Sequence, residues 1–176
     1  MSLPPENPID IFLQPGEVYF GDAGTRIRTL LGSCVAVTLW HPILRVGGMC
    51  HYLLPTRGRR RATETPGADG RYADEAMALL FKDIGASGTR PSEYQAKLFG
   101  GGRMFAEHAR GHRLNVAERN VLAARSLAQQ HGLQIVAESL GGCTHRNVIF
   151  EVWSGDVWVR AGPALEQQGR NRRQAA

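Results

Sequence analysis

Two β-rich runs on either side of a proline turn constrain this chain more than any other feature. Val35-Ala36-Val37-Thr38-Leu39-Trp40 comes first, His41-Pro42-Ile43-Leu44 follows, and Val46 to Leu54 returns. β-Branched and aromatic residues favour strands, and proline presets φ at the second position of a turn. The segment therefore predicts a β-hairpin. With the turn centred between Pro42 and Ile43, Leu39 faces Val46, Val37 faces Gly48 and Val35 faces Cys50. That face is apolar and belongs in a core. The other face pairs Trp40 with Arg45, Thr38 with Gly47, Ala36 with Met49, and Cys34 with His51. Directly opposed residues have Cβ atoms roughly 4.5–5.5 Å apart, which suits a thiol–imidazole contact. A slip of one residue would turn that pair apart and expose the valines, so burial helps to fix the register.

The rest of the chain reads as a mixed fold. Strand-like runs lie at Gly16–Phe20, Ile27–Leu31, Tyr94–Phe99, Leu133–Glu138, and as a hairpin over Val148–Trp153 and Val157–Ala161. Ala73, Met77, Leu80, Phe81 and Ile84 recur at helical spacing, and a second helix is expected from Val116 to His131. Asn115 is placed to cap its start and Gly132 to end it. The fold class is α+β, with mostly antiparallel pairing. At 176 residues the chain is one domain and long enough to bury a core without staples. The expected limits are an N-terminal extension over 1–11, a domain over 12–162, and a basic tail over 163–176.

The net charge of +5 is local. Arg57, Arg59, Arg60 and Arg61 share one Gly/Pro/Thr-rich stretch, and Arg170, Arg172 and Arg173 lie near the end. Such clusters are solvated surface or a field that steers an acidic partner. No aromatic platform is interleaved with them, so nucleic acid is not expected. No apolar run nears the roughly 18 residues that span a bilayer, and no leader pattern opens the chain, so a cytoplasmic protein without membrane insertion is expected. The three cysteines, Cys34, Cys50 and Cys143, have neither disulfide-framework nor zinc spacing. No metal or cofactor is expected.

A free thiol beside an imidazole has a definite chemistry. Its pKa lies near ~8.5, so a neighbouring base must take its proton before it can attack a carbonyl. Cys34 is the candidate nucleophile and His51 the base. Gly32 leaves space for a substrate carbonyl, and the N–H groups near Ser33 and Cys34 are placed to form an oxyanion hole. A hydroxyl or carbonyl must orient His51; Thr29 and Ser33 are the nearby candidates. Cys143 and His145 are a rival pair on a Gly-rich loop, but nothing there supplies an orienter.

Leu31-Gly32-Ser33-Cys34-Val35-Ala36-Val37 and Gly47-Gly48-Met49-Cys50-His51-Tyr52-Leu53-Leu54-Pro55 resemble the CheD family of chemoreceptor glutamine deamidases. Pro15-Gly16-Glu17, Arg71-Tyr72-Ala73-Asp74, Lys97-Leu98-Phe99-Gly100-Gly101-Gly102, Arg119-Asn120 and Gly141-Gly142 with Arg146 extend the resemblance over most of the chain. The resemblance implies a β-sandwich-like core with helices packed on one side, similar to the catalytic domain of cytotoxic necrotizing factor. It implies hydrolysis of receptor glutamine side chains to glutamate. The implied catalytic residues are Cys34, His51 and, just before the Gly-Ser-Cys turn, Thr29. The implied partners are the cytoplasmic domain of a methyl-accepting chemotaxis receptor and the CheC phosphatase, for which the protein would otherwise act as a non-catalytic regulator. A monomer is expected.

Overall fold

Alternation along the strands sends side chains into two separate layers of core. The computed structural model describes residues 3–58, 67–104 and 115–163. Its elements are β1 (Ile9–Phe12), β2 (Val18–Gly21), β3 (Thr25–Leu31), β4 (Val35–His41), β5 (Val46–Tyr52), α1 (Ala73–Ala86), β6 (Gln95–Gly100), α2 (Val116–Gln130), β7 (Gln134–Leu140), β8 (Arg146–Glu151) and β9 (Asp156–Ala161). One sheet has the order β1-β3-β8-β9 and the other β2-β5-β4-β6-β7. Pairing is antiparallel except for β1 with β3 and β6 with β7.

The odd-numbered residues of β4, Val35, Val37 and Leu39, join Cys50 against the helices, where Met77, Leu80 and Ile84 of α1 and Ala124 and Ala128 of α2 meet them. Ala36, Met49 and Phe99 point the other way, onto Ile27, Leu31 and Phe150 of the second sheet. The result is three layers: sheet, sheet, helices. Burying one Leu, Ile or Met side chain stabilises by roughly 1.5–3 kcal/mol, so each layer has a substantial driving force. The expected α+β class, a sandwich-like core with helices on one side, is the architecture observed.

Both helices fall where their periodicity placed them. Asn115 Oδ1 accepts the Glu118 N–H at 2.9 Å and Glu118 returns a carboxylate oxygen to the Asn115 N–H, a reciprocal cap on α2. The N-terminus differs from expectation. Ile9–Phe12 is a strand, so the expected boundary at residue 12 falls inside an element. No alternation marks it, because it is held by backbone pairing to β3 and by Asp10, which binds both Arg26 and Arg28. All of the expected basic tail but Pro163 lies outside the described residues.

The hairpin forms, with a different register. Ala36, not Cys34, stands opposite His51, and Val37 stands opposite Cys50. The turn has four residues, Pro42 to Arg45, closed by a 2.9 Å bond from the Arg45 N–H to the His41 carbonyl. The His41 ring fixes it: Nδ1 accepts from both the Ile43 and Leu44 N–H groups. The register moves by an even number, so face assignments survive. Cys50 is still buried toward the helices and His51 still faces the other sheet.

Candidate active site

Three elements meet around His51. The residue lies near the end of β5 and is only 1% exposed. Its Nδ1 is 2.8 Å from the hydroxyl of Thr29, which comes from β3 in the opposite sheet. The same hydroxyl lies 2.9 Å from the carbonyl oxygen of Leu13. That carbonyl can only accept, so the Thr29 proton goes to it and the hydroxyl oxygen accepts from His51. Nδ1 therefore carries the imidazole proton and Nε2 the lone pair. Nε2 is buried and has no hydrogen-bond partner among the described residues.

Cys34 sits in the turn between β3 and β4, half-buried, and packs on the cluster between the sheets. It lies two residues before Ala36, the residue paired with His51, and one residue before the β4–β5 pairing begins, so it is not the direct partner of His51. Burial pushes the Cys34 thiol up, and its own backbone N–H offsets part of that. Burial also pulls His51 down from 6.5 to about 4, against smaller opposing effects of the Leu13 carbonyl and Glu17. Both shifts favour a neutral thiol beside a neutral imidazole over a standing ion pair.

The Cys34 turn is held from several directions. The Gly101 N–H binds the Cys34 carbonyl and the Gly102 N–H binds the Gly32 carbonyl, each at 2.8 Å. Gly100 has a φ of 110°, and a Cβ there would strike the Cys34 carbonyl. Gly32 has another role than expected: its missing side chain is filled by Met104, which a Cβ would meet at 2.9 Å. Ser33 does not reach His51 by a hydrogen bond; its carbonyl is held by Asn120. Outside the helices and strands, neither the Ser33 nor the Cys34 N–H has a backbone acceptor among the described residues. A cleft of about 380 Å³ is lined in part by Gly101, whose N–H binds the Cys34 carbonyl, and by Arg103, Glu118, Leu122 and Gly142; Cys34 and His51 do not line it.

Asn120 is a site residue that the helical pattern does not reveal. It is fully buried in α2, and its Nδ2 donates to Ser33 O at 3.0 Å and Leu53 O at 2.7 Å. It thus ties the turn carrying Cys34 to the chain just beyond His51. The Tyr52 hydroxyl binds the Asn120 carbonyl at 2.7 Å and fixes the helix in turn. Arg146, also nearly buried, donates to Ser139 Oγ and to the Gly141, Gly100 and Thr144 carbonyls. It braces the glycine loops behind Cys34.

The rival pair does not assemble a site. Cys143 is exposed and the His145 ring packs on Gly162. Arg57 is bound inside the fold by a bidentate pair with Glu75, while Arg59, Arg60, Arg61, Arg170, Arg172 and Arg173 lie outside the described residues. Among the described residues no group of His, Cys, Asp and Glu could hold a metal ion, and no helix is long and apolar enough to cross a membrane.

The sequence matches the family model described as CheD chemotactic sensory transduction over residues 53–161. The chain belongs to the CheD family. That match begins just after His51, but full-length relatives extend through the site. A "probable chemoreceptor glutamine deamidase CheD" of Pseudomonas savastanoi is 54% identical over 168 residues, 94% of this chain and 93% of the relative. One of Albidiferax ferrireducens is 50% identical over 153 residues, 87% of each chain. One of Leptospira interrogans is 39% identical over 164 residues, 90% of this chain and 96% of the relative. CheD relatives so named thus cover nearly the whole fold, including the stretch from Thr29 to His51.

Proposed function

We propose that this CheD protein is a cysteine-dependent glutamine deamidase of methyl-accepting chemotaxis receptors. The observation that carries the reading is the His51 ring: Thr29, whose own proton goes to the Leu13 carbonyl, accepts from Nδ1 and so keeps the imidazole proton there, leaving on Nε2 a buried lone pair with no partner among the described residues. A general base needs such a lone pair within reach of a thiol. The relatives' names supply the substrate class.

The reaction starts from the neutral pair. Nε2 takes the Cys34 proton as sulfur attacks the side-chain carbonyl carbon of glutamine, so charge separates only with substrate bound. The Cys34 N–H, with that of Ser33, stabilises the oxyanion. Imidazolium then protonates the leaving nitrogen, ammonia departs and a thioester remains. Water, deprotonated by Nε2, hydrolyses the thioester to glutamate and the thiol returns. The chemistry uses thiol, imidazole and water, with no cofactor. An exposed glutamine on a receptor helix can reach a half-buried thiol while the helix lies along the adjacent cleft. The protein works as a cytoplasmic monomer.

The test is incubation with a receptor cytoplasmic fragment, followed by mass spectrometry. Each glutamine converted gains about one dalton, as NH2 becomes OH in the hydrolysis. Conversion that disappears in both Cys34→Ala and His51→Ala supports the reading. Conversion that survives either substitution refutes the dyad. A protein that only binds CheC would convert nothing and would ignore Cys34→Ala.

A further inference from the structure

Pro15-Gly16-Glu17 forms a built device against His51. The Glu17 N–H bonds the Gln14 carbonyl at 3.0 Å, with Pro15 and Gly16 in the middle of the turn. Gly16 has a φ of 90°, which fits the third position of a type II turn, and proline suits the second. The Gly16 N–H then bonds the His51 carbonyl at 2.7 Å, and the His51 N–H bonds the Glu17 carbonyl at 3.0 Å. Two residues thus oppose one, the pattern of a glycine bulge, before regular pairing resumes at Val18 with Cys50. Such bulges re-aim side chains, and this one lies opposite His51.

The Glu17 side chain folds back over the turn. Its Oε2 accepts the Gln14 N–H at 2.8 Å. That N–H belongs to the same peptide unit as the Leu13 carbonyl, which accepts the Thr29 hydroxyl. An unbroken chain of bonds therefore runs from carboxylate to peptide N–H, through the peptide to its carbonyl, to the Thr29 hydroxyl, and to His51 Nδ1. A carboxylate on the N–H polarises the amide and makes its carbonyl a stronger acceptor.

We propose that Glu17 is a positioning residue for the reaction, acting on His51 through the Leu13–Gln14 peptide and Thr29. The inference rests on the deamidase reading for its rate arm only. Glu17 holds the acceptor that fixes the imidazole tautomer and supplies the negative charge that favours the imidazolium formed during attack. The Thr29 hydroxyl from β3 is hydrogen-bonded to the ring, and the Cys34 thiol from the β3–β4 turn is the group that the deamidase reading brings to its other nitrogen. Cys50 and Tyr52, the neighbours on β5, face the helix layer. The Glu17 charge also opposes the burial that lowers His51. The side chain is exposed, so solvent keeps its effect moderate.

Glu17→Gln and Glu17→Ala separate the roles. Glutamine keeps an oxygen for the Gln14 N–H but loses the charge; alanine loses both. One readout is nitrogen NMR of labelled histidine, giving the His51 tautomer at pH 7 and its titration, which needs no substrate. The other is the deamidation rate against pH. Glu17→Gln is expected to keep the Nδ1–H tautomer, to lower the His51 titration by roughly a few tenths of a pH unit, and to slow kcat severalfold with KM unchanged. Glu17→Ala is expected to mix the tautomers and to slow the reaction further. A wild-type tautomer, titration and rate in both variants would overturn the proposal. So would a fall in melting temperature alone, which marks a purely structural turn. Should wild-type protein deamidate nothing, the NMR arm still decides whether Glu17 controls His51.

Discussion

Thr29 Oγ1 and His51 Nδ1 lie 2.8 Å apart, and they come from different sheets. Thr29→Val removes the hydroxyl while keeping the shape. It strips the Leu13 carbonyl of its donor and frees Nδ1 to lose its proton. The deamidation rate is expected to fall by roughly 10²-fold, the scale of a misplaced general base. Stability should drop by about 1–3 kcal/mol for the orphaned buried carbonyl. Thr29→Ser restores both in part. Rates by mass spectrometry and urea unfolding of the three proteins check this.

Asn120→Ala should weaken the protein by about 1–3 kcal/mol, because two part-buried carbonyls, of Ser33 and Leu53, lose their donor together. The rate should fall as well, since the clamp sets Cys34 against the end of β5. Asn120→Asp is expected to fare worse than a neutral change, because an anion would face two carbonyl oxygens. Chemical denaturation, with rates taken well below the transition, separates the two losses.

Stability should depend on pH through His51. Burial holds the folded ring at about 4, against 6.5. Between those values the unfolded chain binds a proton that the folded chain refuses. The contribution is complete above roughly pH 6.5, lost as pH falls toward 4, and on the order of 3 kcal/mol in all. At pH 5 wild type should have lost about 2 kcal/mol more than His51→Gln, relative to pH 7.5. Equal losses in urea melts of the two proteins would rule this out.

The three thiols should report their surroundings to iodoacetamide. Cys50 is fully buried and pushed up to about 12, so it should label only on unfolding. Cys143 is exposed and should label at a rate indifferent to His51→Ala. If the ring accepts its proton as proposed, Cys34 should label at a rate that falls severalfold in that variant. Peptide mapping of each thiol over time gives all three rates.

Arg57 stabilises rather than steers. It is 11% exposed, bonds Glu75 through two nitrogens and lies over the Tyr72 ring. Arg57→Ala should cost about 1–3 kcal/mol in unfolding while leaving the salt dependence of the deamidation rate unchanged.

The sequence made the helices and most strands legible because their signals are local. Met77, Leu80 and Ile84 mark α1 by spacing alone, and Asn115 and Glu118 cap α2 within one turn. Faces of the central hairpin were equally readable, since strand alternation assigns Cys50 and His51 to opposite sides. Its register was not, because the His41 ring, an element of tertiary geometry, caps a four-residue turn that the proline alone does not specify. The resemblance selected Thr29, but the bond that makes it useful joins two sheets and follows from no local pattern. Asn120 contacts carbonyls 87 and 67 positions away, beyond any periodicity. Gly32 read as open space, because the packing of Met104 onto it is a long-range contact.

The bonds around His51 cross the seam between the two sheets, and that gives the molecule an unusual vulnerability. A hydrogen bond of this length tolerates only a few tenths of an ångström before it weakens. Sliding one sheet past the other by that much would disconnect the ring from Thr29 while leaving both hydrophobic layers buried and the circular dichroism unchanged. A small molecule or partner that leans on the β3–β8 sheet could silence the thiol from a distance, without ever entering the space where glutamine reacts.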